Sequence, residues 1–418
     1  VDGVIGGVGS VIVFLPNIVI LYLFISFMED SGYLARAAFI MDRIMHRIGL
    51  HGKSFIPLVM GFGCNVPAIM ATRTIESRSS RLITIMITPF MSCSARIPIY
   101  LLLAGTFFPG RSGLVMFCLY VLGILLAIVT ARLIRRFFFP VDETPFVMEL
   151  PPYRLPTWKT TLRHMWDKCA QYLRKMGGMI LIASVIVWLL SYYPRTEEPV
   201  PASVHYENSY LGRIGKACEP AFTPMGLNWK AGVSLLSGVA AKEIVVSTLG
   251  VLYAEAPVTG AETSVAAGAA PEATPVTEPA SETTAAPASE PAAEAAAMSS
   301  SEPVAGTAAV QVNEPSAATT ASEEVAASRA SATAELAESD DEEAEMASLS
   351  KRLLASGDFN TASVIAFLVF ILIYFPCIAT IAAIASEAGW KWALTSVVYN
   401  TAVAWLVSWV VYHLINWL

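Results

Sequence analysis

Charge is scarce in this chain: 15% of its 418 residues are charged and 55% are hydrophobic, with a mean hydropathy of +0.57. Ordinary soluble domains carry about 25% charge, so the expected solvent is a lipid bilayer. Histidine is scarcer still, and the residues at 46, 51, 164, 205 and 413 show no HxxxH or HxxE spacing. A histidine-built metal centre therefore has no support. The six cysteines at 64, 93, 118, 169, 218 and 377 include no CxxC pair, which argues against a disulfide framework or a structural zinc site. No GxxxxGK[ST] loop occurs, so these residues lack the phosphate cradle of a nucleotide hydrolase. Neither Met nor a charged leader precedes the first apolar run; the expectation is part of a longer product, without a signal peptide.

The formal charge of −7 hides an uneven distribution. Eighteen of the 34 acidic residues lie between Glu255 and Glu345, where Arg329 is the only base, and elsewhere 26 bases face 16 acids. A basic remainder suits loops beside an anionic leaflet, and no nucleic-acid partner is called for. Roughly 20 apolar residues cross the hydrocarbon layer, and the runs 8–28, 81–108, 114–134, 176–192, 360–385 and 392–414 are candidates. The loop 132–175 holds nine bases against four acids, which places it in the cytoplasm and 192–207 outside. Within that loop, 158–173 reads as an amphipathic surface helix. From Ala254 to about Ser350 the chain is Ala, Pro, Glu, Ser and Thr with few large apolar groups. Such a stretch cannot bury enough surface to offset its ordering entropy and is expected to be a disordered insertion.

Two more apolar stretches are interrupted. Residues 54–75 hold Pro57, Gly61, Gly63 and Pro67, and residues 231–252 hold Gly238 beside Lys242-Glu243. Backbone freed by Gly and Pro is tolerable at membrane depth only where protein or a wet cavity covers it, so both read as discontinuous or re-entrant helices. Superposing Gly49-Leu50 on Gly226-Leu227 also aligns Lys53 with Lys230, Leu58 with Leu235 and Gly61 with Gly238, five identities in 27 positions. An apolar span precedes each unit, the pattern of a duplicated module.

The residues that could carry chemistry sit at these interruptions. Cys64 lies in Gly61-Phe62-Gly63-Cys64-Asn65-Val66-Pro67-Ala68. A thiolate, the Asn65 side-chain oxygen and freed carbonyls would suit a late first-row divalent ion and would serve sodium or magnesium poorly. Cys93 lies between Pro89 and Pro98, and Cys377 follows Pro376. Each alone could be a small buried hydrophobe; the recurrence of thiol with helix break favours ligands. Cys118, Cys169 and Cys218 are read as structural or surface residues. Glu29-Asp30 closes the first span, where carboxylates either draw in a divalent ion or end a helix, with Asp30 a candidate cap of the next. Lys242-Glu243 is read as an intramembrane ion pair with a gating or latching role.

Several stretches resemble the membrane part of bacterial ferrous iron transport protein B: 28–39 (Met-Glu-Asp-Ser-Gly-Tyr-Leu-Ala-Arg-Ala-Ala-Phe), 61–74, 89–100, 145–154, Ala241-Lys242-Glu243 and Tyr374-Phe375-Pro376-Cys377. The resemblance implies an all-α, polytopic helical membrane protein with two inverted-repeat gate modules and discontinuous helices. The division would be 1–110 for the first gate module, 111–175 for a transmembrane helix and basic linker, 176–253 for the second module, 254–357 for the insertion and 358–418 for a closing helix pair. It further implies ferrous iron as transported substrate, a multi-pass place in the bacterial inner membrane, and no cofactor within this chain. A cytoplasmic GTPase domain using GTP and magnesium would belong to the full-length protein, with small accessory Feo proteins and homo-oligomers as possible partners. By position, Cys64, Cys93 and Cys377 match that family's pathway cysteines and Glu29 and Asp30 its acidic gate residues. A nucleoside carrier built on gate modules, a membrane thiol enzyme using Cys93, and a scaffold for a soluble GTPase stay open as alternatives.

Overall fold

The computed structural model describes residues 2–139, 156–194, 202–254 and 346–417, and among them all regular structure is helical. Helix α1 (Asp2–Asp30) is followed, after Gly32 at φ 76°, by α2 (Tyr33–Ile48). The second helix leaves the first at 78°. It buries Ala38 and Met45 and exposes Phe39, Ile40 and Ile44, as expected of a helix lying along a membrane boundary. Next come α3 (Phe55–Gly63), α4 (Asn65–Ala71), α5 (Arg78–Ile87) and α6 (Ile97–Phe107), then the unbroken α7 (Ser112–Phe138).

Helix α8 (Trp158–Tyr172) runs through a π-helical turn at Leu173–Gly177 into α9 (Gly178–Tyr192). It is therefore not the separate surface helix expected from its amphipathic pattern. Thr161, Met165, Cys169 and Tyr172 form a buried stripe, and Tyr172 meets Tyr22 of α1 edge to face at 6.4 Å. The chain continues through α10 (Ala202–Asn208), α11 (Tyr210–Phe222), α12 (Trp229–Ser237) and α13 (Ile244–Leu252).

Most of the expected insertion, 255–345, lies outside the described residues. Its end does not behave as expected, because 346–356 form helix α14 with Leu349 and Leu353 buried. Met346, Leu349 and Leu353 recur at helical spacing in an otherwise polar stretch, and that apolar stripe packs on the main core. Helices α15 (Thr361–Ile373), α16 (Ile378–Ala388) and α17 (Trp390–Trp417) complete the chain.

Five helical stretches are long and apolar enough to cross a membrane, or six if the bent pair 18–48 counts as one. The broken ones are innermost. The apolar windows of Arg78–Phe107 and Thr361–Ala388 are each 72% buried, against 28%, 11% and 22% for the spans containing α7, α8–α9 and α17. Interrupted backbone at membrane depth needs protein around it, whereas an intact helix satisfies itself and can face lipid.

The proposed duplication is visible in the element register. Helices α2 and α11 begin at Tyr33 and Tyr210, which are 177 residues apart, the same offset as Gly49 and Gly226. Both glycines adopt left-handed backbone, φ 88° and 67°. Each repeat then runs through a short helix pair, a broken span and a long closing helix: α3–α4, α5–α6 and α7 in one, α12–α13, α15–α16 and α17 in the other.

Candidate functional site

Four helix breaks line one cavity of about 200 Å³. The first lies between α3 and α4, where Cys64 is extended at φ −149°, ψ 134°. With its amide nitrogen turned toward the two carbonyls, Asn65 donates to Gly61 O and Thr88 O at 3.2 Å each, so it repairs the backbone that this break and its neighbour leave open. The second break runs from Thr88 to Arg96 through two 3₁₀ turns, with Cys93 extended between them. Fully buried Arg96 donates to Met91 O at 3.2 Å and Pro89 O at 3.3 Å. The third spans Gly238 to Glu243, and the fourth is Tyr374–Cys377, which Pro376 keeps from continuing α15.

The breaks are tied in pairs. Ser94 Oγ donates to Gly63 O at 3.0 Å, and Ile378 N donates to Val239 O at 3.0 Å. Each bond joins the residue after Cys93 or Cys377 to a carbonyl in the neighbouring short helix pair. Gly61 and Gly238 permit that approach: a Cβ at 61 would lie 3.0 Å from Met91 Cβ, and one at 238 would lie 2.7 Å from the Tyr374 hydroxyl.

The tertiary structure thus brings Cys64, Cys93 and Cys377 to the wall of one cavity, with Asn65 and Lys242. Cys377 Sγ also stands 3.2 Å from Thr380 Oγ1. Leu15, Ile18 and Leu21 of α1 and Tyr172 with Leu173 of the π turn close it with mostly apolar surface. Among the described residues, no three His, Cys, Asp or Glu side chains stand close enough to hold a metal ion together. The thiols are neighbours along a wall and do not form a closed cage. Of the other cysteines, Cys169 is buried in the packing of α8, Cys118 is exposed and Cys218 is partly buried.

Glu29 and Asp30 lie elsewhere. Glu29 pairs with Lys168, and Asp30 accepts from Thr161 Oγ1 and contacts His164 Nδ1, both at 3.0 Å. They clasp α1 to α8, about 12 Å along the helix axis from the cavity residue Leu21. Asp30 does not cap α2, whose N-cap is Gly32 without a side-chain bond. The expected Lys242–Glu243 ion pair is not formed. Adjacent side chains at the start of a helix diverge, and Lys242 instead donates to Phe375 O at 3.2 Å with its ammonium 3.3 Å from the Tyr374 ring centre.

Sequence reasoning missed Arg96 and Glu387. Arg96 stands inside an apolar span, and an ionisable residue there is itself a signal. Glu387, whose side chain is 3% exposed, lies in the last turn of α16 and pairs with Arg73, Arg81 and Lys175. Nothing in its local sequence marks that role, because its partners lie in three other segments.

The Gate family, described as nucleoside recognition, matches residues 11–107 and 173–391, and the family described as ferrous iron transport protein B C terminus matches 116–168. The chain is similar to an Fe(2+) transport protein A/Fe(2+) transporter FeoB fusion protein of Porphyromonas gingivalis, 47% identical over 99% of this chain and 44% of the relative. An Fe(2+) transporter FeoB of Methanocaldococcus jannaschii is 37% identical over 98% of this chain and 48% of its own length. Another, of Campylobacter jejuni, is 49% identical over 60% and 42% respectively. The chain spans somewhat less than half the length of these curated relatives. No solved structure matches.

Proposed function

Because this chain belongs to the Gate family and to the ferrous iron transport protein B family, we propose that its four helix breaks form the membrane path of a ferrous iron importer. The observation that carries this reading is the convergence of Cys64, Cys93 and Cys377, distant in sequence, on one cavity. Thiolates bind late first-row divalent ions and discriminate against sodium and magnesium. A wall of separate thiols also suits passage, since an ion must bind well enough to enter and weakly enough to leave. In this reading the thiols act as successive stations for Fe(II), and Asn65 serves by holding the backbone of two breaks in place.

Glu29 and Asp30 act as the clasp between α1 and α8 at the foot of the path. The energy for gating would come from a GTPase domain of the full-length protein, and motion of α8 against α1 is the route by which it could reach Tyr172 and Leu173 at the cavity wall. The nucleoside alternative finds less support. A base and ribose need several free amide and hydroxyl groups, and here the Asn65 amide and the Ser94 hydroxyl are already committed to backbone carbonyls.

The test is anaerobic binding of Fe(II), Zn(II) and Mg(II) to the purified chain in detergent, for wild type and the Cys64→Ser, Cys93→Ser, Cys377→Ser triple variant. Fe(II) and Zn(II) binding that is lost in the triple variant, with no response to Mg(II), is expected. Iron binding that persists unchanged without the thiols would sink the path assignment, and thiol-independent binding of a labelled nucleoside would replace it.

A further inference from the structure

Helix α1 presents Leu15 and Ile18 to the thiol cavity. Continuing from Ile18 at four-residue spacing, Tyr22, Ser26 and Asp30 follow one another along the helix surface over about 18 Å. Tyr22 is 3% exposed and Ser26 1%, and neither hydroxyl has a hydrogen-bond partner among the described residues. Ser26 lacks even the bond to the carbonyl four residues earlier that Thr84, Thr88 and Thr106 make. Across from them α8 presents its buried stripe of Thr161, Met165, Cys169 and Tyr172. The Asp30–Thr161 bond fixes one end of this seam and the Tyr22–Tyr172 contact the other, which sets Ser26 between those two levels. At the upper end Tyr22 belongs to the apolar cluster against which Cys64 and Cys377 pack. Buried hydroxyls are normally paired, and replacing an orphaned one by an apolar group of the same shape is neutral or stabilising. A seam that served packing alone would therefore be at least as stable with Phe at 22 and Ala at 26.

We propose that the α1–α8 seam continues the path, with the hydroxyl oxygens of Tyr22 and then Ser26 ligating a partly hydrated divalent cation between the thiol cavity and Asp30. This rests on the ferrous iron reading above. Neutral oxygens suit such a passage, since they replace the ion's water of hydration and still hold it weakly enough to let it leave. Asp30, a charged oxygen ligand at the far end, receives the ion as it comes off the hydroxyls. Passage requires α8 to part from α1, which is the motion invoked above for gating, and the contacts that must open are the Glu29–Lys168 pair and the Asp30–Thr161 bond. The clasp and the thiols then belong to one route, joined by the two hydroxyls that packing does not explain.

The experiment measures Fe(II) uptake under reducing conditions by cells that lack another ferrous importer and carry the full-length protein, for wild type, Tyr22→Phe, Ser26→Ala and Ser26→Thr. The unfolding midpoint of each protein, purified in detergent, is the second readout. The Phe and Ala variants each remove one oxygen and add no bulk, and Tyr22→Phe keeps the ring against Tyr172. Both are expected to slow uptake at least about tenfold, the scale of losing one oxygen partner of a charged group, with midpoints equal to or above wild type. Ser26→Thr restores the oxygen and should keep most of the uptake. If wild type takes up iron and the Phe and Ala variants match it, the seam is not the route, and the thiol path stands without it. Slow uptake with lowered midpoints would mean a packing role, and a Thr variant as slow as Ala would mean that size rather than the oxygen matters; either result overturns the inference. If wild type imports no iron, the ferrous iron reading fails and the inference with it.

Discussion

Gly238 shows how closely single residues are constrained at the breaks. A Cβ there would lie 2.5 Å from Val245 Cγ2 and 2.7 Å from the Tyr374 hydroxyl, whereas at Gly61 the nearest atom would be Met91 Cβ at 3.0 Å. Gly238→Ala is therefore expected to destabilise the protein by about 1–3 kcal/mol through overpacking, and Gly61→Ala by less. Thermal unfolding in detergent would order the two; equal midpoints would contradict the close approach at Gly238. Arg96 is constrained from the other direction. Its fork satisfies carbonyls that the Thr88–Arg96 break exposes, and a point charge such as Lys cannot reproduce that geometry.

At the scale of elements, the two repeats are joined by charge as well as packing. The end of α16 brings Glu387 to Arg73 beyond α4, Arg81 of α5 and Lys175 of the π turn. The carboxylate is nearly buried while its partners are 30–45% exposed, so water screens much of the attraction. Glu387→Gln should cost about 1–2 kcal/mol, above an exposed pair and below a fully buried one. The effect should be read as a lower unfolding midpoint that shrinks only in part as salt rises, because the carboxylate is nearly buried although its cationic partners are not. A drop that vanishes in moderate salt would mean a surface pair. The π turn beside Lys175 is a second device at this scale, since such turns interrupt the helical ladder where a rod must bend or present side chains. Here Leu173, its first residue, and Tyr172, the last of α8, both line the cavity.

Across the whole molecule, intact apolar spans surround interrupted ones. That arrangement follows from where unpaired backbone can be satisfied, and among the described residues it puts the four breaks around the cavity, with their thiols, inside the protein. The long acidic stretch has few apolar groups to bury, and a composition of that kind does not sustain a packed core. Deleting 260–341 is expected to leave both the unfolding midpoint and thiol-dependent metal binding unchanged. A fall in either would show that the stretch takes part in fold or path. Helix α14, 346–356, should be kept in that variant, because Leu349 and Leu353 belong to the core.

Much of this protein was legible in one dimension. Hydropathy located the spans, Gly and Pro located the interruptions, and the 177-residue offset located the duplication, because each rests on local rules of backbone and solvent. The recurrence of cysteine at three breaks was equally local. What the tertiary structure alone decided is which of those groups meet. It gathered Cys64, Cys93 and Cys377 on one wall while sending Glu29 and Asp30 to a clasp on α8, and it aimed Lys242 at a ring and a carbonyl instead of Glu243. It also found partners for Glu387 and the stripe of α14 in distant segments. Side-chain direction at a broken helix depends on which carbonyls the break leaves unpaired and which neighbours lie close enough to answer them, and that information is distributed over the whole chain.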